Sequence, residues 1–140
     1  MIAEAALLVA LAHPVPEPEP VEFTEAVAPL PGLDGVHFAT ELTVMLLQSR
    51  RDGYNIGVSD GFRTYADQQA MVRKYGYYNG SSGAAAPGTS QHEFGLAVDL
   101  ELGVGLLRTA NRQWLDGHAW QFGLHFPVPG EPWHIEQVVG

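Results

Sequence analysis

The stretch Ser90-Gln91-His92-Glu93-Phe94-Gly95-Leu96-Ala97-Val98-Asp99-Leu100-Glu101-Leu102 changes character halfway. Its second half alternates: Leu96, Val98, Leu100 and Leu102 fall on one face of an extended chain, and Ala97, Asp99 and Glu101 on the other. That is a strand with one apolar and one acidic face. Its first half is a polar, turn-forming approach that carries His92. An acidic residue in mid-strand needs a reason, and a metal site on that face would supply one.

Outward from this strand the pattern mixes helices and strands. Upstream, Phe38, Leu42, Met45 and Leu46 stand at i, i+4, i+7 and i+8, one face of a helix from Phe38 to the Asp52-Gly53 stop. Tyr54, Ile56 and Val58 alternate as a strand. Thr64-x-x-Asp67 has the form of a capping box for a second helix, running to about Tyr75. The small-residue run at 76–89 (GYYNGSSGAAAPGT) reads as a long loop of the functional or mobile kind. Downstream, Trp114, Leu115, His118, Ala119 and Phe122 share a helix face that stops at Gly123. From Trp133 to Val139 a last strand sets His134 and Glu136 on one face, Trp133 and Ile135 on the other. There is no repeat and no regular βαβ alternation. The expected fold class is therefore α+β, with a small, mostly antiparallel sheet and flanking helices.

The 140 residues suffice for one domain, and 46% apolar content supports a core. The N-terminal part reads differently. His13 to Pro20 (HPVPEPEP) is an extended Pro/Glu linker, and turn signals continue to Gly35. The expected division is an N-terminal segment and linker over 1–35 and a folded domain over 36–140. The apolar run 2–12 is too short to span a bilayer and lacks a leading basic region. It reads as a weak export signal or a short packing helix, so no membrane span is expected and the export route stays open.

A formal charge of −9 argues against nucleic acid as a partner and against anionic membranes. The absence of cysteine removes disulfides, thiolate zinc sites and thiol catalysis together. Any metal must be held by imidazole and carboxylate.

Three segments concentrate such groups: Gly61-Phe-Arg63-Thr-Tyr-Ala-Asp67-Gln68, Ser90 to Asp99, and Glu131-Pro-Trp-His134. A catalytic zinc takes three protein ligands and keeps a fourth position open. His92, Asp99 and His134 would supply two imidazoles and a carboxylate. Glu101 and Glu136 share the faces of Asp99 and His134 and are rival ligands or supporting partners. Each residue alone has a plainer reading. A single histidine is more often a hydrogen-bonded core residue, Arg63 a partner of Asp60 or Asp67, and Glu131 a solvated turn residue. Likewise Gln68 reads as an exposed helix amide, Ser90 as a turn cap, Trp133 as packing beneath the site and His118 as structural. His125 is a candidate pocket residue; His13 and His37 have no assigned role.

Together, and in this order, GFRTYADQ, SQHEFGLAVD and EPWH resemble the M15 zinc peptidases, the VanY-like D-alanyl-D-alanine carboxypeptidases. The likeness spans about Ser59 to Val139. It implies a small α+β domain related to the hedgehog N-terminal domain, with Zn²⁺ as cofactor. It implies zinc ligation by His92, Asp99 and His134, a catalytic base at Glu131, and an arginine at Arg63 that polarises the scissile carbonyl and holds substrate. Gln68 and Ser90 fall at motif positions near the substrate. His125 stands where the family often has a basic residue, which bears on substrate preference. The implied function is hydrolysis of peptidoglycan stem peptides at the cell wall by a monomer, with removal of a terminal D-alanine first. The alternatives are an L-Ala-D-Glu endopeptidase of a phage-like lysin released without a leader, a dipeptidase for free D-Ala-D-Ala, and a non-catalytic zinc-stabilised binding module. Glu131 and Arg63 together favour an enzyme, because a binding module needs neither.

Overall fold

The computed structural model describes residues 34–138. The expectations for the segment 1–33, with its apolar run, linker and His13, lie outside the described residues. Helix α1 (Asp34–Arg51) leads into strand β1 (Gly57–Asp60) and helix α2 (Tyr65–Tyr75). Strand β2 (Ala97–Glu101), helix α3 (Gly105–His118), a 3₁₀ turn (Ala119–Phe122), and strands β3 (Leu124–His125) and β4 (His134–Gln137) follow. The strands form one sheet in the order β1-β2-β4-β3. Every neighbouring pair is antiparallel. This is the α+β arrangement expected from the sequence. Among the described residues, no helix is long and apolar enough to cross a membrane.

One face of the sheet makes the core. Val98, Leu100 and Ile135 pack there with Phe38, Leu42 and Met45 of α1 and Trp114 and Leu115 of α3. Alternation sends Asp99, His134 and Glu136 to the opposite face. The central pair β2–β4 sets the register: Val98 faces Ile135 and Asp99 faces His134. Two future site residues are thus fixed as direct cross-strand neighbours.

Several boundaries differ from the sequence reading. Helix α1 begins at Asp34, so Asp34-Gly35 start a helix and do not prolong a turn. The strand read through Tyr54, Ile56 and Val58 contains only Val58. Ile56 is buried just ahead of the strand, whereas Val58, inside it, is exposed, and a register shift follows between Val58 and Asp60. Helix α3 begins at Gly105, well before the apolar stripe at Trp114. Its first turn turns Leu106 outward at 90% exposure, so no inward periodicity marked it. The helix then tightens into the 3₁₀ turn and ends at Gly123, whose φ of 70° is left-handed.

Candidate metal centre and cleft

Three segments converge on the polar face of the sheet. Asp99 and His134 arrive through the β2–β4 register. His92 arrives from the turn before β2, which is stitched to the segment before α2. The Arg63 amide donates to the His92 carbonyl at 3.1 Å, and the His92 ring returns a bond from Nδ1 to the Gly61 carbonyl at 2.7 Å. A carbonyl only accepts, so Nδ1 carries the proton and Nε2 presents a lone pair inward. His134 is held the same way in mirror: Nε2 donates to Glu136 at 2.8 Å, leaving Nδ1 to face inward.

The inward atoms meet. His92 Nε2 is 3.2 Å from His134 Nδ1 and 3.3 Å from Asp99 Oδ1, and His134 Nδ1 is 3.2 Å from Asp99 Oδ1. Three acceptors at such separations repel unless a cation lies among them. Tetrahedral zinc with bonds of roughly 2.0–2.1 Å would place neighbouring ligand atoms about 3.3–3.4 Å apart. The triangle fits that edge length, and two imidazoles with a carboxylate suit zinc chemically. Glu136 is a supporting partner of His134, and Glu101 lies outside the triangle on the exposed end of β2.

Without the ion, a proton stands in for it. Burial alone would lower the His134 pKa, but hydrogen bonds to Asp99 and Glu136 and their charges outweigh it, raising the value to about 9. Burial would raise Asp99, yet bonds from His134 and His92 and their charges hold it well below the usual carboxylate range.

Glu131 sits on the turn before β4. The His134 amide donates to the Glu131 carbonyl at 3.1 Å, folding the turn back. This brings Glu131 Oε2 to 3.8 Å from His134 Nδ1. Burial raises its pKa, with the Asp99 charge adding and the His134, His92 and Arg63 charges opposing. The carboxylate makes no other ion pair among the described residues, so it is available to a water or substrate proton.

Arg63 is almost buried. Its Nε and Nη2 both reach Asp60 Oδ2, at 2.9 and 2.8 Å, and Nη2 also reaches Asp99 Oδ2 at 3.2 Å. The plain reading, a bridge to Asp60, and the functional one therefore coexist. Asp67 instead completes the capping box with Thr64. Gln68 is only 1% exposed, against the sequence reading of an exposed amide. Its Oε1 accepts from Arg63 Nη1 at 3.1 Å and its Nε2 donates to the Ala85 carbonyl at 2.8 Å. Ser90 lines the cleft, and its amide is taken by Glu93 at 3.1 Å.

These residues border a cavity of about 570 Å³, closed on one side by the 76–89 loop. That size suits a small peptide end. The loop is tied across the cleft: Tyr78 donates its hydroxyl to the Pro129 carbonyl at 2.9 Å. Trp133 is 37% exposed and lines the cavity, so it forms wall rather than floor, contrary to the sequence reading. His125 is exposed on the edge strand and lines neither the cavity at the metal centre nor a second one beyond Trp133. His118 is structural, stacked on Trp114 at 4.4 Å. His37 bonds to Gln137 and pairs with Glu41.

Sequence reasoning missed Arg112. Its guanidinium lies 3.9 Å from the Phe126 ring centroid, pairs with Asp116 at 2.7 Å and donates to the Pro132 carbonyl. It thereby pins the turn that carries Glu131 and His134. The Arg112–Asp116 spacing is visible in sequence; the reach to Pro132 is not.

A family model described as VanY, D-alanyl-D-alanine carboxypeptidase, matches residues 36–139. A D-alanyl-D-alanine carboxypeptidase of Enterococcus faecalis is 35% identical over 115 residues, covering 64% of this chain and 42% of that protein. The chain thus spans less than half the length of the curated relatives it matches. Among solved structures, the vancomycin-resistance D,D-pentapeptidase VanY from a VanB-type cassette, in complex with Zn(II), has a TM-score of 0.61 at 26% identity. That match covers 86% of this chain and 82% of the other. VanYB in complex with D-alanine-D-alanine gives a TM-score of 0.62 at 26% identity, covering 88% and 82%.

Proposed function

The chain belongs to the VanY family of D-alanyl-D-alanine carboxypeptidases, and from that premise we propose that it is a zinc peptidase removing the terminal D-alanine of peptidoglycan stem peptides at the cell wall. Residues 36–140 form the peptidase unit in this reading. One observation carries it: three inward acceptors, 3.2–3.3 Å apart, with the Glu131 carboxylate beside them.

His92, Asp99 and His134 would hold the zinc, which when bound supplies Lewis acidity toward water and the scissile carbonyl. Glu131 takes the proton of the attacking water and returns it to the leaving amine. Its raised pKa moves it toward the poise such a base needs. Arg63 brings a planar cationic fork suited to an oxyanion or a carboxylate. Asp60 and Gln68 fix its plane, and the guanidinium lines the cleft, where it would take the carbonyl oxygen or the terminal carboxylate. Ser90 completes the substrate-facing wall. Gln68 acts through Arg63 and is a positioning residue.

The reading is tested by mass spectrometry of purified muropeptides incubated with zinc-loaded protein and with a chelator-treated control. Metal-dependent loss of one terminal alanine supports it. Release of a larger fragment replaces it with endopeptidase activity. Stoichiometric zinc without cleavage leaves a binding module.

A further inference from the structure

The segment between β3 and β4, residues 126–133, belongs to no helix or strand, yet it carries Glu131. Pro127, Pro129 and Pro132 interrupt it, and a proline has no N–H to give. Its position therefore depends largely on what its carbonyls accept. The Trp133 carbonyl joins it to the sheet, taking the Leu100 amide at 2.9 Å. Two further bonds bracket Glu131. Just before it, the Pro129 carbonyl takes the Tyr78 hydroxyl at 2.9 Å. Just after it, the Pro132 carbonyl takes the Arg112 guanidinium. One donor comes from the 76–89 loop and the other from α3, 51 and 20 positions away.

Both donors are themselves held. The Tyr78 amide donates to the Ala84 carbonyl at 2.9 Å, and the buried Gln68 holds the Ala85 carbonyl at 2.8 Å. Arg112 lies over the Phe126 ring and pairs with Asp116. Between the two bonds stands Gly130, with a left-handed φ of 83°, so close to the Ser81 carbonyl that a Cβ would collide with it. Resting on the proposed peptidase reading, we infer that Tyr78 and Arg112 are positioning residues for Glu131. They clamp its turn from separate elements and so set where the carboxylate stands beside the metal ligands. A displacement of about 1 Å in reacting geometry can cost on the order of 10²-fold in rate. Neither side chain takes part in the proton transfer, and the Tyr78 hydroxyl proton is committed to Pro129.

The test uses the full zinc-loaded chain and a peptide ending in D-Ala-D-Ala. Tyr78→Phe keeps the ring and Arg112→Met keeps the stem, and each removes its bond to the turn. Each lowers kcat about tenfold and leaves KM within about twofold, with zinc content unchanged. Arg112→Lys, which restores a donor, recovers most of the loss. In the Glu131→Gln background neither substitution lowers the residual rate further, because the group they position is gone. The inference is overturned if KM rises while kcat holds, which would place these side chains on substrate. It is overturned equally if zinc is lost in step with activity, or if each substitution costs the same factor without Glu131. No turnover by the wild type refutes the peptidase reading instead. Amide exchange then decides the clamp. Faster exchange of the Glu131 and His134 amides in both variants, with β2 unchanged, supports it; exchange equal to wild type, or faster throughout the sheet, overturns it.

Discussion

His134 serves as metal ligand or as proton carrier, and the two roles exclude each other at Nδ1. Its folded pKa of about 9 stands above the ordinary 6.5. A raised histidine contributes stability that is fully present below about pH 6.5 and is lost as pH rises through about 9. Metal-free protein should therefore lose stability across that window, by on the order of 3 kcal/mol, read from denaturant midpoints. Zinc must displace the same proton, so its apparent affinity should rise about tenfold per pH unit below pH 9. A competition titration at three pH values checks this; a flat profile would show that Nδ1 is not the ligand. For Glu131, replacement by Gln keeps shape and removes the base. Its kcat should fall by about 10²–10⁴, while zinc content measured by atomic absorption stays at the wild-type level. Asp99 and His134 were legible because each broke an apolar alternation, and His92 because it stands in the polar approach to the same strand. The tautomers were not, because Gly61 and Glu136 reach the rings through contacts that no local pattern records.

Helix α2 shows what an element gains from a single interior amide. Its one buried residue is Gln68, so no apolar stripe holds it to the body of the protein. The capping box at Thr64 and Asp67 was readable as a local motif, since both partners lie within one turn. The buried destination of Gln68 was not, because Ala85 comes from a loop 17 positions away. Gln68→Met should leave the Ala85 carbonyl and one Arg63 donor unpaired, at a cost of about 1–3 kcal/mol. Thermal unfolding should shift down by roughly 4–12 °C, with faster amide exchange in α2 and the 76–89 loop than in β2. Uniform loosening throughout would contradict the anchoring role. Strand β2 was the most legible element, because a regular alternation survives wherever one face is core and the other is a site. Strand β1 was misplaced because Ile56 is buried ahead of the strand while Val58, within it, is exposed, so the apparent alternation joins residues of different segments.

At the scale of the molecule, one sheet face is a hydrophobic core and the other a polar centre that favours an ion. The fold class was legible because helix and strand periods mix without βαβ regularity. The closing of the cleft was not, since the Tyr78–Pro129 bond spans 51 positions. Binding that is confined to the folded state stabilises it by mass action, about 2.7 kcal/mol at a hundredfold excess over Kd. Chelation should therefore lower the melting temperature by roughly 10 °C, restored by zinc and not by magnesium, whose preference for octahedral oxygen ligands the triangle does not meet. Equal melting with and without chelator would place the metal elsewhere. The pairing of Asp99 with His134 has one more consequence. A slip of one residue between the two middle strands would turn one of those side chains to the opposite face, and such a chain could not retain the ion. Metal stoichiometry is thus a proofreading record: the zinc counted per chain in a preparation gives the fraction of molecules whose strands are in register.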